Sequence, residues 1–457
     1  MRRSPIGLLM QKNKKEIRMK KIVALLLALL MLAGFAACGT KEAATPASTN
    51  TNDSNLPFAG TTLRVILATH DWTKAVEKKL PEFEAATGMK VEYEVYPEGQ
   101  LSDKLNVELG SGGQYIDVFM CRPLQEVQQF IQNGYLAEVS DLLADPEFQK
   151  DDFITAALNG YARNGANDGK FYGVPLVTER QVLMYRKDLF EAKGLSVPTN
   201  LEEFEACAKA LHDPANGVVG VALRGKPNPA VTQFAAYLYG FGGDFIDFAT
   251  NKAIINTPEA VKAFEYYGGL LRNYGPTDAV NMHWNECAAL FSTGGAAMVT
   301  DADSIWASFC GPDTQVYDKT GFAVSPNNAT WNICAWGLGI SANSPHLEAA
   351  KAFMKWAAGV EMTKYIQTSG ISSARTSAWE DPACTANYPA ELLAAIQEGN
   401  KIATKAYDRP MTTSVAAARD VIGVVITTAI EGGDVKAAAD KANAEFQKIL
   451  DEDAAAK

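Results

Sequence analysis

Four polar residues, Thr178-Glu179-Arg180-Gln181, interrupt the apolar run 174–185, and they carry the densest chemistry in the chain. A core strand does not bury an acid beside a base unless each finds a partner. A strand that passes from one packed body to another, beside a wet cleft, meets that condition. His70-Asp71-Trp72 and Arg122 also stand where apolar runs stop, after 63–68 and 115–120. Carboxylates accept hydrogens, guanidinium groups donate them, and indole rings cover apolar C–H faces. That set suits reversible capture of a hydroxyl-bearing small molecule.

Signatures of bond-breaking are missing. The histidines His70, His212, His283 and His346 show neither HExxH nor another paired spacing, so no metal site is expected. There is no G-x-S-x-G elbow. Gly220-Val221-Ala222-Leu223-Arg224-Gly225-Lys226 fits GxxxxGK, but Pro227 stands where Ser or Thr must hold Mg²⁺. Acid pairs alone argue weakly for a glycoside hydrolase. The expectation is therefore no catalytic residue and no cofactor.

The elements that must position these groups follow from periodicity. Strands are expected at 63–68, 89–95 and 115–120, with helices between them, the first stopped by Gly88. That β-α-β-α-β order predicts a mainly parallel sheet, and ligands gather beyond the carboxyl ends of such strands. The run 174–185 is a long extended segment. Thr199-Asn200-Leu201-Glu202 reads as a capping box opening a helix to 211. A short strand at 218–223, helices at 232–239 and 258–273, a second extended run at 331–340, and helices at 345–358, 415–430 and 435–450 follow. Thr232 and Gln233 open a helix that faces the cleft.

The ordered set Asp168-Gly169-Lys170, Tyr172-Gly173-Val174-Pro175, Tyr185-Arg186-Lys187-Asp188-Leu189-Phe190, Gly194-Leu195, Pro198-Thr199 and Glu202-Glu203-Phe204 resembles the extracellular solute-binding proteins of ABC importers. The resemblance is to their carbohydrate-binding group, which includes the maltose-binding protein, and it covers nearly all of 60–450. Asn200 stands where many members carry Trp, and Ser373 where Pro is frequent. The resemblance implies a periplasmic-binding-protein-like α/β fold, two lobes with mixed sheets joined by a three-crossing hinge. Lobe 1 would span 58–178 and 336–372, and lobe 2 would span 179–335 and 373–457. It also implies that Thr300, Asp301, Asp303 and Ser304 reach the cleft, that Trp336 and Arg375 stand on the second and third crossings, and that Glu179 is a cleft acid. Trp306 is a further aromatic candidate. The expected ligand-binding set is thus His70, Asp71, Trp72, Arg122, Glu179, Arg180, Thr232, Asp301, Asp303, Trp336 and Arg375.

Plainer roles stay open for each. Trp72 and Trp336 suit packing, Glu179 and Arg180 suit an interlobe pair, Asp71 and Asp301 suit turn caps, and Arg122 suits a surface ion pair. Other solutes on the same fold (a polyamine, a metal chelate, an anion) and a secreted glycoside hydrolase are the competing functions.

The 457 residues allow two domains, and the 47% hydrophobic and 21% charged content is that of a globular protein. Residues 1–37 hold eight Lys/Arg and one Asp/Glu, so the formal charge of −11 becomes −18 without them. Such an acidic body is a poor partner for nucleic acid or anionic lipid. Met19-Lys20-Lys21 and the apolar 22–35 read as a secretory signal, with translation starting at Met1 or Met19. Phe35-Ala36-Ala37-Cys38-Gly39 resembles a lipobox, making Cys38 the lipidated residue of a membrane-anchored, extracytoplasmic monomer. Residues 40–57 read as a flexible tether reaching roughly 20–25 Å. Its expected partners are a small carbohydrate and a membrane permease. The other six cysteines are scattered, without CxxC spacing; one or two disulfides or buried thiols are both open.

Overall fold

The structure, a computed structural model, describes residues 56–162, 169–326, 330–403 and 405–455. The expected signal, Cys38, nearly all of the tether, and Asp168 of the turn lie outside the described residues.

The strands are β1 (Thr62–Ala68), β2 (Lys90–Tyr96), β3 (Val118–Cys121), β4 (Val174–Arg186), β5 (Val219–Val221), β6 (Ile246–Asp247), β7 (Lys252–Ala253), β8 (Ala296–Ala302), β9 (Thr320–Val324) and β10 (Asn332–Ile340). Among the described residues eight of them join in the order β2-β1-β3-β10-β4-β8-β5, with β9 also on β4, and β6 and β7 form a separate hairpin. β1 lies parallel to β2 and β3, as the alternation of strands and helices predicts. β10 inserts antiparallel between β3 and β4, so the sheet is mixed. The helix expected to end at Gly88 is two, Asp71–Glu77 and Leu80–Thr87. Pro81 lacks an N–H and suits only a first turn, so a new helix starts there. Gly88, at φ 75, closes the second.

β4 fulfils the expectation of a strand shared by two bodies. Its Val174–Arg180 half pairs with β10, ending at Arg180 against Asn332. The next residue, Gln181, pairs with Ala302 of β8. The polar interruption therefore sits where the strand changes partners. A third segment runs alongside: Thr178 N–H donates to Ser372 O at 3.0 Å, and Val177 bridges Ser373. Asp303 ties the crossings together. Its carboxylate accepts from Arg180 N–H at 2.6 Å, Arg180 Nη1 at 2.9 Å and Ser372 Oγ at 2.6 Å.

The buried apolar side chains form one continuous core. In its later half, Phe234 stacks on Phe264 at 4.3 Å, and the helix Pro258–Tyr274 approaches Val415–Glu431 at Gly268, where a Cβ would lie 2.3 Å from Ala429 Cβ. The helix cap at 199–203 is displaced by one residue from the expected box. Asn200 is the N-cap, accepting from Glu203 N–H at 2.9 Å, and the Glu203 carboxylate accepts from Thr199 N–H at 2.8 Å. The helix expected at 232–239 begins at Pro227, since proline fits the first turn. The six described cysteines are buried and unpaired, so no disulfide forms among the described residues.

Candidate functional site

A small cavity of about 30 Å³, room for one or two waters, lies where β4 and β10 pass between the lobes. Thr69, His70, Glu98 and Arg122 line it from the lobe of β1–β3. Glu179, Ala335 and Trp336 come from the crossing strands, and Arg224, Thr232, Trp284, Ile305 and Arg409 from the other lobe. A larger groove of about 490 Å³ lies beside β2, among solvated side chains such as Glu92, Tyr93 and Tyr115.

His70 caps the helix Asp71–Glu77, its Nδ1 accepting from Trp72 N–H at 3.0 Å. Nδ1 is thereby the acceptor, so in the neutral ring Nε2 carries the hydrogen. That Nε2 is buried without a partner, 4.0 Å from Glu179 Oε1. Burial lowers the His70 pKa, which keeps the ring neutral. Glu179 accepts from Ser304 Oγ at 2.5 Å, and burial pushes its carboxyl up to about 8 against that bond. Glu98 behaves oppositely. Burial raises it, but the charge of Arg122, with smaller help from His283, Arg224 and Arg419, holds it at about 2.

The arginines are held by carboxylates. Arg122 donates to Glu98 at 2.8 Å, to Ser102 Oγ at 2.8 Å and to Glu126, and its guanidinium lies 5.1 Å from the Trp336 ring centroid. Arg224 makes a fork to Asp301 through Nε, at 2.9 Å, and Nη2. Arg409 forks to Asp408 at 2.5 and 2.6 Å. The lobes also bond across the cleft. Gln125 Oε1 accepts from Arg409 Nη1 at 3.1 Å and Arg419 Nη1 at 2.8 Å, and Ser308 Oγ meets Asp71 at 3.1 Å.

Of the expected residues, His70, Arg122, Glu179, Thr232 and Trp336 line this cavity. The others stand elsewhere, for identifiable reasons. Trp72 lies on the helix face shared by Ala75 and Val76, which turns into the core, and it is 1% exposed. Asp71 pairs with Lys74 at 2.6 Å. Arg180 and Asp303 satisfy each other within the crossing, and Asp301 is consumed by Arg224. Arg375 donates to the carbonyls of Ala358, Gln149 and Phe148 at 2.8, 3.0 and 2.8 Å and lies 3.7 Å from the Phe153 ring centroid, so its donors serve the fold. Trp306 donates to Gly370 O at 2.9 Å, within the third crossing.

Sequence reasoning passed over Glu98, Arg224, Trp284 and Arg409. Glu98 and Arg224 stand just beyond β2 and β5, so the strand-end rule would have found both. In the sequence Arg224 stands out only as part of GxxxxGK. There the loop amides are already used: Gly225 and Lys226 N–H both donate to Met282 O at 3.0 Å, and Arg224 N–H to Gln233 Oε1 at 2.6 Å. No cradle for a phosphate remains in that loop.

Residues 69–364 match the family model described as bacterial extracellular solute-binding protein. The mannitol-binding protein of Pseudomonas aeruginosa is 31% identical over 288 residues, 60% of this chain and 63% of that protein. The erythritol/L-threitol-binding protein of Mycolicibacterium smegmatis is 25% identical over 348 residues, 68% of this chain and 70% of that one. A crystallised solute-binding protein of an ABC transporter from Agrobacterium radiobacter K84, in complex with ribitol, superposes with a TM-score of 0.78 at 27% identity, covering 86% of this chain and 99% of its own.

Proposed function

The chain belongs to the bacterial extracellular solute-binding protein family, and we propose that it is the binding component of an ABC importer for a sugar or polyol. Its relatives bind mannitol and erythritol or L-threitol, and its structural neighbour holds ribitol. The observation that carries the reading is the buried, unpartnered His70 Nε2 beside Glu179 in a cavity walled by both lobes. A buried donor without an acceptor costs about 1–3 kcal/mol, and a solute hydroxyl removes that cost. Trp336 and Trp284 supply apolar faces for the carbon chain.

The lobes open about the three crossings, admit the solute, and close through Gln125 and Asp71. Closure excludes water, and it favours solute only as far as the closed form binds it better. In this reading lobe 1 is 58–178 with 336–372, lobe 2 is 179–335 with 373–457, and the protein is a monomer that releases its solute unaltered to a membrane permease. The family is extracellular, and among the described residues no helix is long and apolar enough to cross a membrane. Lipidation of Cys38 would hold the body at the outer face of the membrane.

Calorimetry with mono- and oligosaccharides and four- to six-carbon polyols tests this. Saturable binding, with the solute recovered unchanged by NMR, is the expected result. Conversion of the solute would mark a hydrolase, and no binding by any member would overturn the reading.

A further inference from the structure

The arginines around the cavity give it the look of an anion site, yet each charge is already answered. Arg122 lies against Glu98 and Glu126, Arg224 against Asp301, and Arg409 against Asp408. Arg419, one layer behind, donates to Gln125, Asn228 O and Thr232. The three arginines that line the cavity thus meet four carboxylates, and Arg419 is held by neutral oxygens alone. Glu179, the remaining acid on the wall, keeps its proton to about pH 8 because it is buried, and the neighbouring His70 is kept neutral.

Geometry matters as much as the count. An arginine grips a carboxylate or phosphate through a fork of two parallel N–H groups. The Nε–Nη2 fork of Arg224 is occupied by Asp301, which is 2% exposed. The Nε–Nη2 fork of Arg409 is occupied by Asp408, which is fully buried. Gln233 further fixes the Arg224 backbone, accepting from its N–H at 2.6 Å while Tyr267 donates to its carbonyl at 2.7 Å. Arg224 Nη1 stays outside the fork, suited to a single hydroxyl oxygen.

We propose that Asp301 and Asp408 are selectivity residues that cancel the charge and occupy the forks of Arg224 and Arg409, so that the cavity takes an uncharged polyhydroxy solute and rejects its carboxylated counterpart. The inference rests on the solute-capture reading and narrows it. Among the described residues that line the cavity, a negative group meets no arginine without a carboxylate partner, and it stands close to Glu98, the repulsive element that discrimination needs.

The test is calorimetry on the full chain with matched pairs: erythritol, ribitol and mannitol against erythronate, ribonate and mannonate. The unaltered protein should bind the best alditol at least roughly tenfold more tightly than its aldonate, a step of about 1.4 kcal/mol. Asp301→Asn and, independently, Asp408→Asn should each shrink that ratio by roughly tenfold or more by gaining aldonate affinity. If one variant fails to fold, the other and the unaltered protein still decide. Equal or tighter aldonate binding by the unaltered protein overturns the inference and leaves solute capture standing. An unchanged ratio in a folded variant also overturns it. No binding of either class overturns this inference, and the capture reading falls with it only where the mono- and oligosaccharides also fail to bind.

Discussion

Replacing Glu179 by Gln should make the protein more stable at neutral pH, and the gain follows from where the carboxyl sits. In the folded chain burial holds it at about 8, against an ordinary value of 4.5. Between those values the unfolded chain has released this proton while the folded chain keeps it. The folded state then binds more protons, so stability falls as pH rises from 4.5 to 8 and levels off above. At 1.36 kcal/mol per pH, the cost accumulated by pH 7 is ~3 kcal/mol. Glutamine keeps an acceptor for Ser304 and has no proton to lose, so Glu179→Gln escapes that cost. Urea unfolding followed by circular dichroism at pH 4.5, 6, 7 and 8 reads it directly. The variant and the parent should coincide at pH 4.5 and separate progressively to ~3 kcal/mol at pH 7. A constant difference across the series, or a variant that is weaker at pH 7, would mean that Glu179 is ionised in the folded protein and that the argument is wrong.

Asp303→Ala should cost ~3–5 kcal/mol in urea unfolding, because it leaves Arg180 buried and charged between the crossings; a loss under ~1 kcal/mol would show that the pair is dispensable. Gln125→Ala removes the oxygen shared by Arg409 and Arg419 across the cleft. Small-angle scattering of the solute-free variant should show a larger radius of gyration than the parent, and identical profiles would refute the latch. Trp336→Ala should weaken sugar or polyol binding by ~0.5–1.5 kcal/mol beyond the lost contact area, and unchanged affinity in calorimetry would reject that placement. Gly225→Ala should destabilise, since a Cβ there would lie 2.1 Å from Ala279 O, and an unchanged midpoint in urea would show that the loop shifts freely.

Much of the fold was legible because its signals are local. The 13-residue strand β4 announced itself by length, and its polar middle announced that it could not lie in one core. The parallel start of the sheet followed from the spacing of β1, β2 and β3. What spacing could not convey is which charge meets which. Asp301 and Arg224 are 77 residues apart, and Arg180 and Asp303 are 123 apart. Read singly, each is a candidate for solute; read in pairs, most are scaffold. His70 and Trp72 are two residues apart, yet the extended N-cap His70 faces the cavity and Trp72, in the first helical turn, faces the core, a difference set by where the helix starts, which composition does not carry. Arg409 lies in irregular chain between the helices Ala390–Ile402 and Val415–Glu431, where no period marks it.

β10 lies between β3 and β4, although 211 residues separate its first residue from the end of β3. A ribosome that has released the chain through Val324 has therefore delivered every strand of that sheet but the one that belongs between β3 and β4. Neither body can finish until Asn332–Ile340 arrives, and topologies that wait for such distant pairings form slowly. A sheet whose central strand comes so late suits a polypeptide that must cross a membrane before it takes shape.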